Sequence, residues 1–266
     1  MAALVSPTGQ DIILKGVHPN AGIEAAYKRK LRKMVAAMSK SVEYWLAAEY
    51  RAQIPEIAMD SPIDELNRKL KKLSESWQKK FDDGALNLAS WFATASKSYS
   101  DGSMQKILKD AGFTVKFKMS KSARVRFNAV VSENVGLIKS IPEQYFTQVE
   151  GIVMRAASRG RDLEYLTKEL KKRYDITDRR AKLIAIDQSN KATSLFTQQN
   201  QIDLGLTEAD WQHSTAGKHP RESHVAANGQ RYKIAKGMLI EGEYIYPGEK
   251  INCRCISRPV IPGFND

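Results

Sequence analysis

Apolar positions recur at steps of three and four over long stretches of the chain. From Ala21 to about Tyr50, the positions Tyr27, Leu31, Met34, Val35, Met38, Val42, Trp45 and Leu46 mark a helix with one buried stripe. Lys28, Arg29, Lys30, Arg32 and Lys33 fall largely off that stripe. Ser61, Pro62 and Asp64 supply an N-cap, a first-turn proline and a capping-box acid for a second helix, with Leu66, Leu70, Leu73, Trp77 and Phe81 on one face. Gly84 is expected to interrupt it, and a short helix is expected after Asp101-Gly102. Phe113 to Lys118 alternates apolar and polar, the pattern of a lone strand or hairpin edge.

Helical spacing then resumes. One helix is predicted over SARVRFNAVVSENVGLIKS and another from Pro142 towards Ala157. A third starts at Asp162 with Leu163, Leu166, Leu170 and Tyr174, and a fourth is capped by Thr177 and closed by Gly205. After Gly205 the texture changes: glycine or proline every few positions and short β-prone runs such as RYKI and EYIY. The expected fold class is therefore α+β. A mostly helical region over 1–205 precedes a small β-rich domain over 206–266.

Charge sharpens that division. The chain of 266 residues carries +12, yet residues 205–266 hold eight Lys/Arg against seven Asp/Glu, so residues 1–204 hold 34 against 23, or +11. A basic helical region is either a solvated face or a surface for a polyanion, which would bind double-stranded DNA non-specifically through phosphates. The candidate DNA contacts are Arg68, Lys69, Lys71 and Lys72, then Arg155, Arg159, Arg161, Lys171, Lys172 and Arg173, with Arg179 and Arg180 nearby. No apolar run reaches the roughly 20 residues of a membrane helix, and no export signal is read at the amino terminus. A soluble protein with no membrane partner is expected.

Three of the four histidines, His213, His219 and His224, fall in the β-rich region, as do both cysteines, Cys253 and Cys255. A disulfide between residues two apart would close a tiny, strained loop. In an extended INCRC segment the two cysteines share a face, and Arg254 points the other way. His213, His224, Cys253 and Cys255 could then complete a tetrahedral zinc site, with His219 as the spare ligand. The other reading is a dry packed face of small buried thiols and hydrogen-bonded histidines. A catalytic reading, in which Cys253 or Glu222 works with a histidine or the cluster forms a metal-dependent nuclease, has no evident third orienting group. Trp211 reads as a core anchor, Asn228-Gly229 and Pro247-Gly248 as tight turns, and Arg221 and Arg254 as braces to carboxylates such as Glu222 and Glu249.

Trp211 to Ser214, the run GKHPRESHVAANGQRY from Gly217 to Tyr232, and PGEKINCRC from Pro247 to Cys255 resemble the carboxyl-terminal domain of phage minor head proteins, the family of phage Mu protein F. The motif positions are Trp211, Arg221 with His224, Asn228 with Gly229, and Asn252, Cys253, Arg254 and Cys255. The likeness is close over the last quarter and looser over the helix from Thr177 to Leu204. It implies a virion protein rather than an enzyme, made in the host cytoplasm and placed in the head near the portal vertex. The implied partners are the portal and the major capsid or scaffold protein. The implied action is in head assembly, DNA packaging or ejection.

Overall fold

The computed structural model describes residues 9–52, 61–158, 162–215 and 220–263, apart from the side chains of residues 61–64. It is an α+β fold, as the patterning predicts. The elements run β1 (Ile12–Ile13), α1 (Ala21–Ala52), α2 (Ser61–Asp110), α3 (Lys121–Ser158), α4 (Leu163–Asp203), β2 (Glu208–Gln212), α5 (Glu222–Ala226), β3 (Arg231–Lys233), β4 (Met238–Ile240), β5 (Glu243–Ile245) and β6 (Ile256–Ile261).

The chain divides into two compact units. Unit 1 comprises residues 1–24, 90–131 and 186–266, and unit 2 comprises 25–89 and 132–185. Residues 206–266 thus lie wholly in unit 1, while 1–205 are shared between the two.

Unit 2 is helical. The α1 stripe is buried at Tyr27, Leu31, Val35, Met38, Val42 and Leu46, whereas Trp45 is 43% exposed. Leu66, Leu70, Leu73 and Phe81 are buried on α2, and Ile138, Ile141, Tyr145, Val149 and Val153 on α3. Several buried polar groups are paired, whereas Arg173 Nε and Arg180 Nη1 find no hydrogen-bond partner. Tyr27 donates to Asn134 Oδ1 (2.8 Å), Tyr145 to Ser39 Oγ (3.3 Å), and Arg32 Nε to Asp178 Oδ1 (2.6 Å). Burial pushes the Tyr145 hydroxyl up to about 12.

Several expected breaks do not occur. α2 passes through Gly84 and through Asp101-Gly102, and α3 contains Pro142 in its interior. α4 runs unbroken from Leu163, so Thr177 is not an N-cap; its hydroxyl donates back to the Arg173 carbonyl at 2.9 Å. Each weak point costs about 1–3 kcal/mol locally, which a helix with a long buried face can absorb. Two predicted ends hold. Asp162 Oδ1 accepts the Tyr165 N–H (2.8 Å), and Gly205, at φ +73°, turns the chain so that the Leu206 N–H bonds the Gln201 carbonyl (3.0 Å). The capping set Ser61, Pro62 and Asp64 lies outside the described side chains.

Unit 1 holds the sheets. A four-stranded antiparallel sheet has the order β1-β6-β2-β3, and β4 and β5 form a separate antiparallel pair. Phe113 to Lys118, expected as a strand, is extended but joins no ladder; Phe113, Val115 and Phe117 pack onto the core on alternate positions. The alternation records one face against a core, not pairing. That core gathers Leu14, Met104, Leu108, Trp211, Tyr232, Ile234, Ile245 and Ile261 with both cysteines.

Within unit 1, α4 is buried yet polar. Gln188, Ser189, Asn190, Thr193, Thr197, Gln198, Gln199, Asn200 and Gln201 are each at most 7% exposed. These side chains hold other segments. Gln198 Nε2 donates to the Ile234 carbonyl (3.1 Å), Ser194 to the Pro247 carbonyl (2.5 Å), Gln201 to Ser257 Oγ (3.2 Å) and Asn200 to Asp101 Oδ1 (2.8 Å).

Candidate metal centre

Three chain segments meet beneath Trp211. The backbone of Trp211 is fixed by its N–H to the Gln230 carbonyl (2.9 Å) and by the Gly229 N–H to its own carbonyl (2.7 Å). The described residues between β2 and β3 include α5. A loop is expected around His224, but the residue lies on this five-residue helix, where its N–H bonds the Arg221 carbonyl (3.0 Å). Its ring meets the Trp211 indole edge to face, centroids 5.2 Å apart at 85°.

The third segment precedes β6. Gln212 pairs with Ile256 in the β2–β6 register, which sets Cys255 at the end of that ladder. Cys253 and Cys255 are buried and Arg254 is exposed, the same-face arrangement expected from spacing. INCRC itself lies just before the strand rather than within it. Asn252 adopts a left-handed φ of +59° and donates its N–H to Asp187 Oδ1 on α4 at 2.8 Å. Gly248 turns the chain at φ +88°, where an added Cβ would lie 3.0 Å from the Ser194 side chain and 3.3 Å from the Cys255 carbonyl.

The donor atoms converge. His224 Nδ1 is 3.4 Å from Cys253 Sγ and 3.7 Å from Cys255 Sγ, and the three ligand atoms lie within 4.8 Å of one another. The Cys255 S–H, donating to Cys253, holds the Cys253 thiol below its ordinary range against the effect of burial; the N–H groups of Cys255 and Gly248 and the His224 ring act the same way. The shared proton, together with burial, pushes Cys255 well above the ordinary thiol range. The Trp211 indole N–H makes no hydrogen bond of ordinary geometry, but it faces the Cys255 sulfur and, with the Ser214 backbone, opposes that rise. Two sulfurs and one imidazole nitrogen on one buried point form a soft donor set suited to zinc.

His213 lies beside this trio without belonging to the donor cluster. Its backbone N–H donates to Asn228 Oδ1 (2.8 Å), and the residue lines a pocket of about 50 Å³ with Ser214, Pro220, Arg221, His224, Asn252, Cys253, Arg254 and Cys255. His219 lies outside the described residues. Arg221 braces the loop as expected, but through the Ile251 carbonyl (2.9 Å) rather than a carboxylate, while Glu249 accepts the Tyr246 N–H (2.7 Å). Gly229 turns at φ +79° beside Asn228. Cys253 and His224 form a thiol–imidazole couple, yet they are only 3% and 4% exposed.

The candidate DNA contacts lie in unit 2, except that Arg159 and Arg161 fall outside the described residues. Lys71, Lys72 and Lys171 are exposed. Lys69 sits over the Trp45 ring at 4.0 Å, Arg68 lies 3.7 Å from Glu65, Arg155 donates to the Tyr165 hydroxyl and Lys172 pairs with Glu169. Arg173 is half-buried and its pKa is lowered by burial. The polar face of α4, with Asp187, Ser194, Gln198 and Gln201, was not legible as part of the site. The one signal for it is a long helical segment too polar to own a stripe.

Residues 147–258 match the family described as phage Mu protein F like protein. An uncharacterized protein of Haemophilus influenzae is 27% identical over 250 residues, 93% of this chain, and the chain spans 55% of that relative's length. No solved structure matches the chain. The matched segment takes in His224, Cys253 and Cys255 together with the α4 residues that hold their loop. The resemblance drawn from the W-x-H-S, R-x-x-H and N-C-R-C positions agrees with this match, which covers residues 147–258 of this chain.

Proposed function

We propose that this chain is a minor head protein of a tailed phage, associated with the portal and acting in head assembly, DNA packaging or ejection by binding rather than by turnover. The match of residues 147–258 to the phage Mu protein F-like family carries the reading. The +12 charge supports contact with packaged DNA, and among the candidate contacts Lys71, Lys72 and Lys171 of unit 2 are exposed. No helix among the described residues is long and apolar enough to cross a membrane.

Under this reading the partners are the portal and the major capsid or scaffold protein, and DNA is gripped through its phosphates without sequence preference. The test is to express the tagged chain in cells producing the phage that encodes it, then probe purified heads. Co-purification with portal and presence in mature particles are expected; absence from both heads and particles contradicts the reading. For the DNA contact, the full chain should bind mixed-sequence duplex at low salt, with log affinity falling about 0.9 per phosphate contact against log salt. Salt-independent or sequence-selective binding would contradict it.

A further inference from the structure

We propose that His224, Cys253 and Cys255 hold a single zinc ion whose fourth position opens on the adjoining pocket and takes an exchangeable water rather than His213. The separations carry this. A tetrahedral zinc with bonds of about 2.3 Å to sulfur and about 2.0 Å to nitrogen requires its sulfur and nitrogen ligands to stand roughly 3.5 Å apart. The two observed separations, 3.4 and 3.7 Å, bracket that value. A thiol S–H···N hydrogen bond accounts for the approach of one sulfur to the ring nitrogen; one imidazole nitrogen within reach of both sulfurs is what a shared ion requires.

The fourth position follows from what surrounds the trio. The three ligands line one side of a pocket of about 50 Å³, large enough for a water, and Arg221 and Arg254 stand on its rim. His213 lines the same pocket, but its N–H is pinned to Asn228 and it lies outside the cluster of donor atoms. A zinc with three protein ligands binds water in the fourth place, where a small anion can displace it. The ion would tie α5 to the segment before β6 while leaving one site open. This inference rests on the site geometry alone and is independent of the virion role.

The test uses the full chain, purified without chelator or metal-affinity resin. About one zinc per chain is expected by mass spectrometry, falling at least tenfold in C253S and C255S and unchanged in H213A. Should the cysteine variants fail to fold, wild-type protein provides the same readout: chelation should release zinc and raise the count of reactive thiols from none to two. The cobalt-substituted protein should show a thiolate-to-cobalt band and visible bands that shift on adding azide. A folded, metal-free wild type with both thiols reduced overturns the metal. Zinc loss in H213A matching that in C253S, or visible bands indifferent to azide, overturns the open fourth position.

Discussion

Unit 2 and unit 1 bury their helices in opposite ways. In unit 2, α1 presents a continuous apolar stripe from Tyr27 to Leu46, and its buried polar groups are isolated pairs such as Tyr27 with Asn134. In unit 1, α4 buries glutamines, asparagines and threonines from Gln188 to Gln201; Gln198 and Gln201 hold Ile234 and Ser257, while Ser194 and Asp187 on the same helix hold the segment that leads to the two cysteines. Apolar burial is non-directional and tolerates repacking. A buried polar face must satisfy every group, and it specifies one arrangement when it does. Unit 1 therefore adds positional control by the polar stretch of α4 to its own apolar core.

Core truncations should produce the largest effects and separate the units most clearly. Phe81→Ala and Trp211→Ala should each cost about 3–5 kcal/mol in denaturant unfolding. Only Trp211→Ala should also weaken metal retention, because its indole packs against His224; equal zinc content in the two variants would break the contrast. Next comes the buried charge of unit 2. Burial alone would raise the Asp178 carboxyl, but hydrogen bonds from Arg32 (2.6 Å) and Lys182 (2.8 Å) outweigh it and hold the group below the ordinary carboxylate value. A depressed folded pKa adds stability that is complete above the unfolded carboxylate range and disappears as pH falls through the folded value. Asp178→Asn should thus cost about 2 kcal/mol at neutral pH and flatten the acid limb of the stability curve.

Smaller effects probe the polar face. Gln198→Ala should cost about 1.5 kcal/mol, since it leaves the buried Ile234 carbonyl unpaired and removes the acceptor of Arg126. Ser39→Ala in unit 2, which removes only a 3.3 Å contact with Tyr145, should cost less. The smallest change concerns the loop before Cys253. Asn252→Ala should cost about 1 kcal/mol through its left-handed backbone, while Asn252→Gly should be close to neutral. Thermal melts of the two variants check this, and equal losses would show that the Asn252 side chain, not its backbone, matters.

The same contrast explains what the sequence revealed. The α1 stripe, the Asp162 cap, the Gly205 stop and the shared face of Cys253 and Cys255 are local, and each was legible. Gly84, Gly102, Pro142 and Thr177 mark local weaknesses that long buried faces override, so breaks expected there are absent. Phe113 to Lys118 alternates because one face lies on a core, which spacing alone cannot tell from strand pairing. The short helix holding His224 and the grip of Asp187, Ser194 and Gln198 on distant loops depend on contacts tens of residues apart in sequence. No local pattern encodes them.

Hydrogen exchange of the full chain, compared before and after zinc chelation with the thiols kept reduced, tests the account most directly. Protection should fall in residues 222–226 and 248–261 of unit 1 and stay unchanged in the α1 stripe of unit 2, with re-added zinc restoring the original pattern. Identical exchange in the two states, or an equal loss in both units, would contradict a metal centre that secures unit 1.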